Sequence, residues 1–99
     1  PRSDDAVYLR AFDEEIEPRL RTYRPELLLV SAGYDAHYAD PLAAMAVTEQ
    51  GFGAMAGRVL AWARDWCDGR LVLVLEGGYN LSALASSIAA TLDALDGGA

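Results

Sequence analysis

Two short segments carry side chains able to do chemistry. In the first, Ser31-Ala32-Gly33-Tyr34-Asp35-Ala36-His37, an acidic residue closely follows the apolar run Leu27-Leu28-Leu29-Val30. A carboxylate held near the end of a strand is a good metal ligand, because the backbone that carries it cannot drift. A catalytic zinc takes three protein ligands and keeps one position for water or substrate, and Asp35 has the chemistry of one such ligand. The commoner use of a loop aspartate is to make turn hydrogen bonds, and the local pattern alone allows that too. In the second segment, Glu76-Gly77-Gly78-Tyr79 follows the apolar run Leu71-Val72-Leu73-Val74-Leu75. Gly77 and Gly78 remove side-chain bulk, so the backbone can bend sharply and a ligand can approach. A phenol keeps its proton at neutral pH, so Tyr79 can donate a hydrogen bond to an oxygen that becomes negative. The alternative is a turn glycine pair beside an interfacial tyrosine. The glycine spacing fits neither a dinucleotide fingerprint nor a phosphate loop.

The elements around these segments decide where they sit. Leu9, Phe12, Ile16 and Leu20 recur at helical spacing, which predicts a helix over 4–22 with Ser3 or Asp4 at its start. Pro18 falls inside that pattern and is expected to kink the helix or end its regular part. Leu27 to Val30, behind Pro25, reads as a strand buried on both faces of a parallel sheet. A long loop comes next, over 31–47. Thr48 then reads as the N-cap of a helix running to about Trp66, and Gly51 and Gly53 in its first turns imply close packing against a neighbour. Asp68-Gly69 marks a turn, Leu71 to Leu75 a second buried strand, and Glu76 to Tyr79 a tight loop. Asn80 can cap a last helix over 81–95, ending before Gly97-Gly98. Strand, helix and strand in succession imply a parallel pair joined by a right-handed crossover. Ligands of such sheets bind beyond the carboxyl ends of the strands. Both chemical segments therefore belong on the same edge of one sheet.

Composition narrows the possibilities. Ninety-nine residues at 53% hydrophobic make one small packed domain or a piece of a larger one, not a disordered chain. No apolar run approaches the roughly 18 residues of a membrane span, and the start lacks a signal region, so the chain is read as cytoplasmic with no membrane partner. A net charge of -7 argues against nucleic acid, whose phosphates call for a basic stripe. Cys67 is the only cysteine, which excludes an internal disulfide and reads as a small buried hydrophobe. The sequence contains no lysine. A Walker A loop, a kinase-type strand lysine and a Schiff-base lysine are thereby excluded within it.

The run from Leu28 to His37, followed by Asp40-Pro41-Leu42, resembles the segment of the histone deacetylase superfamily that supplies its last zinc ligand. Leu73-Val74-Leu75-Glu76-Gly77-Gly78-Tyr79-Asn80-Leu81 resembles the segment that supplies its catalytic tyrosine. The glutamate before the glycine pair looks like the class II and bacterial branch, which includes acetylpolyamine amidohydrolases and acetoin-utilisation proteins. The motifs stand in the right order, and the similarity runs from the first helix through Leu95.

The resemblance implies an α/β fold, the parallel-sheet arginase/deacetylase-like fold, of which residues 1–99 form a C-terminal portion within a single domain. It implies removal of acetyl groups from acetyl-lysine or an acetylpolyamine with zinc as cofactor. Asp35 matches the zinc-ligating aspartate, and Tyr79 the tyrosine that polarises the substrate carbonyl together with zinc. Gly77 and Gly78 match glycines lining the acyl-lysine channel. Leu42 matches a position at the channel mouth, where a glutamate would have pointed to polyamines.

Asp35-Ala36-His37 looks like the family's two-ligand Asp-x-His motif, but that motif lies earlier in family members. Asp40-Pro41-Leu42 aligns this copy with the later, single-ligand segment, which leaves His37 near the loop rim and Asp40 as a turn residue. Ala43-Ala44 stands where many relatives carry glycine, and Tyr34 replaces a common phenylalanine.

The family's paired catalytic histidines and its first two zinc ligands lie upstream of this segment, and one histidine cannot make a pair. The chain alone is thus expected to be inactive, to bind zinc weakly, to expose apolar surface, and to associate with itself or with the upstream part. The alternatives are a free-standing α/β binding module in which Asp35 is a turn residue, or a truncated, inactive relative acting as a subunit. A His-His pair and an Asp-x-His motif in the upstream coding sequence would favour the deacetylase.

Overall fold

The computed structural model describes residues 3–39 and 45–97, with Asp35 and Gly97 described by their backbone alone. The first amphipathic pattern forms α1 (Asp5–Ala11), a π-helical turn (Phe12–Ile16) and α2 (Glu17–Tyr23) without interruption. Pro18 therefore leaves the helix continuous, while the regular α pattern gives way to the π turn just ahead of it. It sits in the first turn of α2, directly after the widened π turn, where a missing N–H and the ring are tolerated. Asp4 caps α1, its carboxylate accepting the Val7 N–H at 3.2 Å.

β1 (Leu28–Gly33) pairs in parallel with β2 (Leu71–Gly77), and α3 (Glu49–Trp66) makes the crossover between them. α4 (Leu81–Gly97) comes after β2 and packs most extensively against α3. Both strands run further than the apolar runs that announce them: β1 takes in Ser31-Ala32-Gly33, and β2 takes in Glu76-Gly77. Backbone pairing carries these extensions, and hydropathy does not report it.

The strands are apolar on both faces, which predicts burial on both. Among the described residues only one face is covered. Val30, Ala32 and Leu73 point toward α1, α3 and α4, whereas Leu29 on the other face is 69% exposed and Val72 and Val74 are each 46% exposed. The physical reason is that the crossover helix and the helix after β2 both lie on the covered side. The core centres on Tyr34, Val47, Phe52 and Met55, joined by Leu9, Phe12, Leu84 and Ile88. Cys67 is fully buried, its thiol donating to the Pro25 carbonyl at 3.1 Å, in line with the reading of it as a core residue. Among the described residues no helix is long and apolar enough to cross a membrane.

A short segment before α3 ties three parts of the chain together. On one side, the Ala46 N–H donates to the Ser3 carbonyl at 2.8 Å. The Asp5 carboxylate accepts both the Thr48 N–H, at 2.7 Å, and the Thr48 hydroxyl. Thr48 Oγ1 in turn accepts the Gly51 N–H at 3.1 Å, the expected N-cap of α3. A Cβ at Gly51 would run into the Asp5 carboxylate, which is the close packing that the glycine implied. Gly53 faces the backbone and Cβ of Ala90 at ordinary contact distance, part of the α3–α4 interface.

On the other side, the Val47 N–H donates to the Ala36 carbonyl at 3.0 Å, and the Tyr38 N–H donates to the Val47 carbonyl at 2.8 Å. His37, expected near the rim, is only 3% exposed. Its Nδ1 accepts the Ala39 N–H at 3.0 Å, so the ring proton sits on Nε2, which donates to Glu49 Oε2 at 2.7 Å. That bond, assisted by the Glu49 backbone N–H, holds the Glu49 carboxyl below its ordinary pKa of 4.5.

This clamp can be tested through stability. Gly51→Ala should lower stability by about 1–3 kcal/mol through overpacking against Asp5. Gly57→Ala, where an added methyl meets open space in the same helix, should raise it by about 0.5–1 kcal/mol. Urea denaturation midpoints of the two variants separate these outcomes. A second prediction concerns pH. A depressed carboxyl pKa stabilises the fold above its unfolded value and loses that contribution as pH falls through its folded value. Glu49→Gln should therefore be less stable than the unsubstituted protein at pH 7. The difference should close as pH falls below 4.5, read from thermal unfolding across a pH series.

Candidate active site

The site is set by where two parallel strands end. Register runs from Leu28↔Leu71 to Ala32↔Leu75, then shifts so that Gly33 pairs with Gly77. Glu76 is the extra residue of a bulge, a device that bends a strand and re-aims the chain beyond it. Asp35 and Tyr79 each stand two residues beyond the Gly33↔Gly77 pair. Neighbouring strands lie roughly 4.8 Å apart, so the two backbones leave the sheet side by side.

On the first strand a 3-10 turn (Tyr34–Ala36) carries Asp35 as its middle residue. Tyr34 anchors that turn. It is buried, its ring meets Phe52 of α3 at 4.9 Å, and its hydroxyl donates to Thr91 Oγ1 of α4 at 2.9 Å. On the second strand Gly78 adopts φ +139°, a conformation that side chains rarely take. A Cβ there would also come within 2.6 Å of Leu84 Cδ1 and 3.2 Å of Tyr34 Cβ. The second glycine of the pair is thus demanded by backbone angle and by the closeness of the two loops.

Asn80 caps α4, its side-chain oxygen accepting the Ala83 N–H at 2.9 Å. Its amide donates to the Ala39 carbonyl at 3.3 Å, joining the tyrosine loop to the aspartate loop. Tyr79, between Gly78 and this anchor, is 55% exposed at the sheet edge.

The structure therefore brings the backbone of Asp35 together with Gly77, Gly78 and Tyr79. Leu42, Asp40 and Pro41 lie outside the described residues. His37 does not join the group as a metal donor, because both ring nitrogens are engaged, one by the Ala39 N–H and one by Glu49. Among the described residues no group of three or more His, Cys, Asp or Glu side chains stands together as a metal site. A carboxylate at position 35 suits zinc as one oxygen donor, and further donors would have to come from other residues.

The supporting residues were not singled out in the sequence. Asp5 and Glu49 look like ordinary acidic residues in helix first turns. Thr91 left a faint signal: it follows Ser87 by four residues, so the two hydroxyls share one face of the last helix.

Known proteins match this chain along nearly its full length. The family model "Histone deacetylase domain" matches residues 1–95. The chain is 47% identical to the rice protein "Histone deacetylase 10, chloroplastic", over 96% of this chain and 21% of that protein. It is 43% identical to a "Probable deacetylase" of Archaeoglobus fulgidus, over 82% of this chain and 23% of that one. The chain thus spans about a fifth of the length of these relatives. In solved structures, the HDA15 HD domain superposes with a TM-score of 0.87 at 33% identity, covering 97% of this chain and 26% of that one. The histone deacetylase Clr3 gives the same TM-score at 29% identity, covering 97% and 16%. A parallel α/β unit whose two strands end at Gly33 and Gly77, matched along nearly its full length, belongs to the histone deacetylase family.

Proposed function

We propose that residues 1–99 are a segment of a single zinc-dependent deacetylase domain, which hydrolyses the amide of an acetyl-lysine or an acetylpolyamine. In this reading the chain contributes one zinc ligand, Asp35, and one hydrogen-bond donor, Tyr79. The observation that carries it is the placement of both residues two positions beyond the same strand pair, Gly33↔Gly77.

Bound zinc would activate water and polarise the substrate carbonyl, as such ions do in other hydrolases. The chain's own residues bind and orient. The Tyr79 hydroxyl donates to the carbonyl oxygen as it gains charge, a contact that strengthens toward the transition state. Gly77 and Gly78 keep side chains away from the path of the acylated amine, and Leu42, assigned to the channel mouth by its match to the family motif, would supply an apolar side chain there. The open apolar face of the sheet, with Leu29, Val72 and Val74, supports association with the remainder of the domain or with a second copy. Proton transfer and the other zinc ligands belong to residues outside this segment, so activity is a property of the complete protein.

Two measurements on the complete protein test the assignments. Asp35→Ala should lose stoichiometric zinc and acetyl-lysine peptide hydrolysis together, by metal analysis and peptide assay. Full zinc occupancy with normal turnover would remove Asp35 from the site. Tyr79→Phe should retain zinc, lower kcat by roughly 100- to 1000-fold and change KM little, as for other donors to a developing oxyanion. An unchanged kcat with a raised KM would instead make Tyr79 a binding residue.

A further inference from the structure

Tyr34 precedes Asp35 and opens the turn that carries it. Its surroundings show an uneven hold. Phe52 and the close approach of Gly78 confine part of the ring. Beside it lies a cavity of about 200 Å³ walled by apolar side chains, among them Tyr8, Phe12, Met55, Val59 and Leu95. On that side the ring faces the cavity in place of a packed neighbour.

The phenol hydroxyl supplies the missing constraint. It donates to Thr91 Oγ1 at 2.9 Å, and the Thr91 hydroxyl donates onward to the Ser87 carbonyl one turn earlier, also at 2.9 Å. The back-bond to the helix fixes the Thr91 rotamer and turns its free lone pair toward Tyr34. Both side chains are buried, where a hydroxyl without a partner is costly and a satisfied pair selects one geometry. The same turn is closed by the His37 N–H donating to the Tyr34 carbonyl at 3.2 Å. A displacement of Tyr34 therefore passes directly into the backbone of Asp35.

We propose that Tyr34 is a positioning residue, whose hydrogen bond to Thr91 locks the Asp35 turn onto α4 and thereby sets the affinity of the metal site. This rests on the reading of Asp35 as a zinc ligand. It requires nothing of Tyr34 toward substrate, so KM is not expected to change.

The test uses the complete deacetylase and two nearly isosteric substitutions, Tyr34→Phe and Thr91→Val. Zinc dissociation constants come from chelator competition, and kcat and KM from the peptide assay. Each substitution should weaken zinc binding about 10-fold, with KM unchanged. The double variant should be no weaker than either single one, because both remove the same bond. Thr91→Ser, which keeps the hydroxyl, should restore wild-type zinc affinity. A lower unfolding midpoint with unchanged zinc affinity in Tyr34→Phe would make the bond merely structural and overturn the proposal. Additive losses in the double variant would overturn it as well. Asp35→Ala separates the two readings. If it keeps its zinc, the assignment of Asp35 fails; if it loses zinc while Tyr34→Phe does not, only the role of Tyr34 fails.

Discussion

Parallel pairing of β1 and β2 is the constraint on which the rest of the chain depends. Parallel strands cannot be joined by a tight turn, so a crossover must carry the chain back to the starting end, and α3 does so. Once the strands run the same way, their carboxyl ends lie together, and the loops leaving them meet at one edge. The bulge at Glu76 advances β2 by one residue relative to β1 at the point where both strands end. Gly33 then faces Gly77, and two loops with little side-chain bulk can leave the sheet in contact.

Holding that edge still requires support from elements distant in sequence. The segment from Ala46 to Glu49 accepts the N-terminal residues on one side and the loop after Asp35 on the other. Asp5 bridges to the cap of α3, and Glu49 bridges to His37, so the start of one helix is bonded to both neighbours. On the far side, Asn80 performs two tasks with one amide group, capping α4 and reaching the Ala39 carbonyl. The aspartate loop is thus held from α3, α4 and the tyrosine loop together. Such over-determination is what the proposed role of Asp35 as a zinc ligand calls for, since a donor displaced by even a fraction of an ångström binds poorly.

The open face of the sheet has the same origin. Alternate residues of a strand point to opposite faces, and the apolar run in each strand commits both faces to burial. α3 and α4 meet that commitment on one side. Leu29, Val72 and Val74 mark the other side as a surface that the chain does not cover with its described residues. This accords with a segment spanning about a fifth of the length of its relatives.

The sequence by itself determined the order of elements, the parallel sheet, the helix caps at Thr48 and Asn80, a first cap at Ser3 or Asp4, and the edge from which the Asp35 and Tyr79 loops leave the sheet. These come from local pattern: periodicity, capping side chains, and the geometry of a strand-helix-strand connection. It also marked Gly51 as a site of close approach without naming the neighbour. Only the tertiary structure decided that His37 is buried with both nitrogens engaged, that Pro18 is accommodated behind a π turn, and that Tyr34 is bonded to Thr91. Those outcomes depend on which side chains from remote parts of the chain arrive at the same place. His37 and Glu49 are separated by 12 residues, Asp5 and Thr48 by 43, and Tyr34 and Thr91 by 57. Pattern within a window of a few turns carries no information about such encounters, because a donor or acceptor looks the same in sequence whether its partner will be water or a buried side chain.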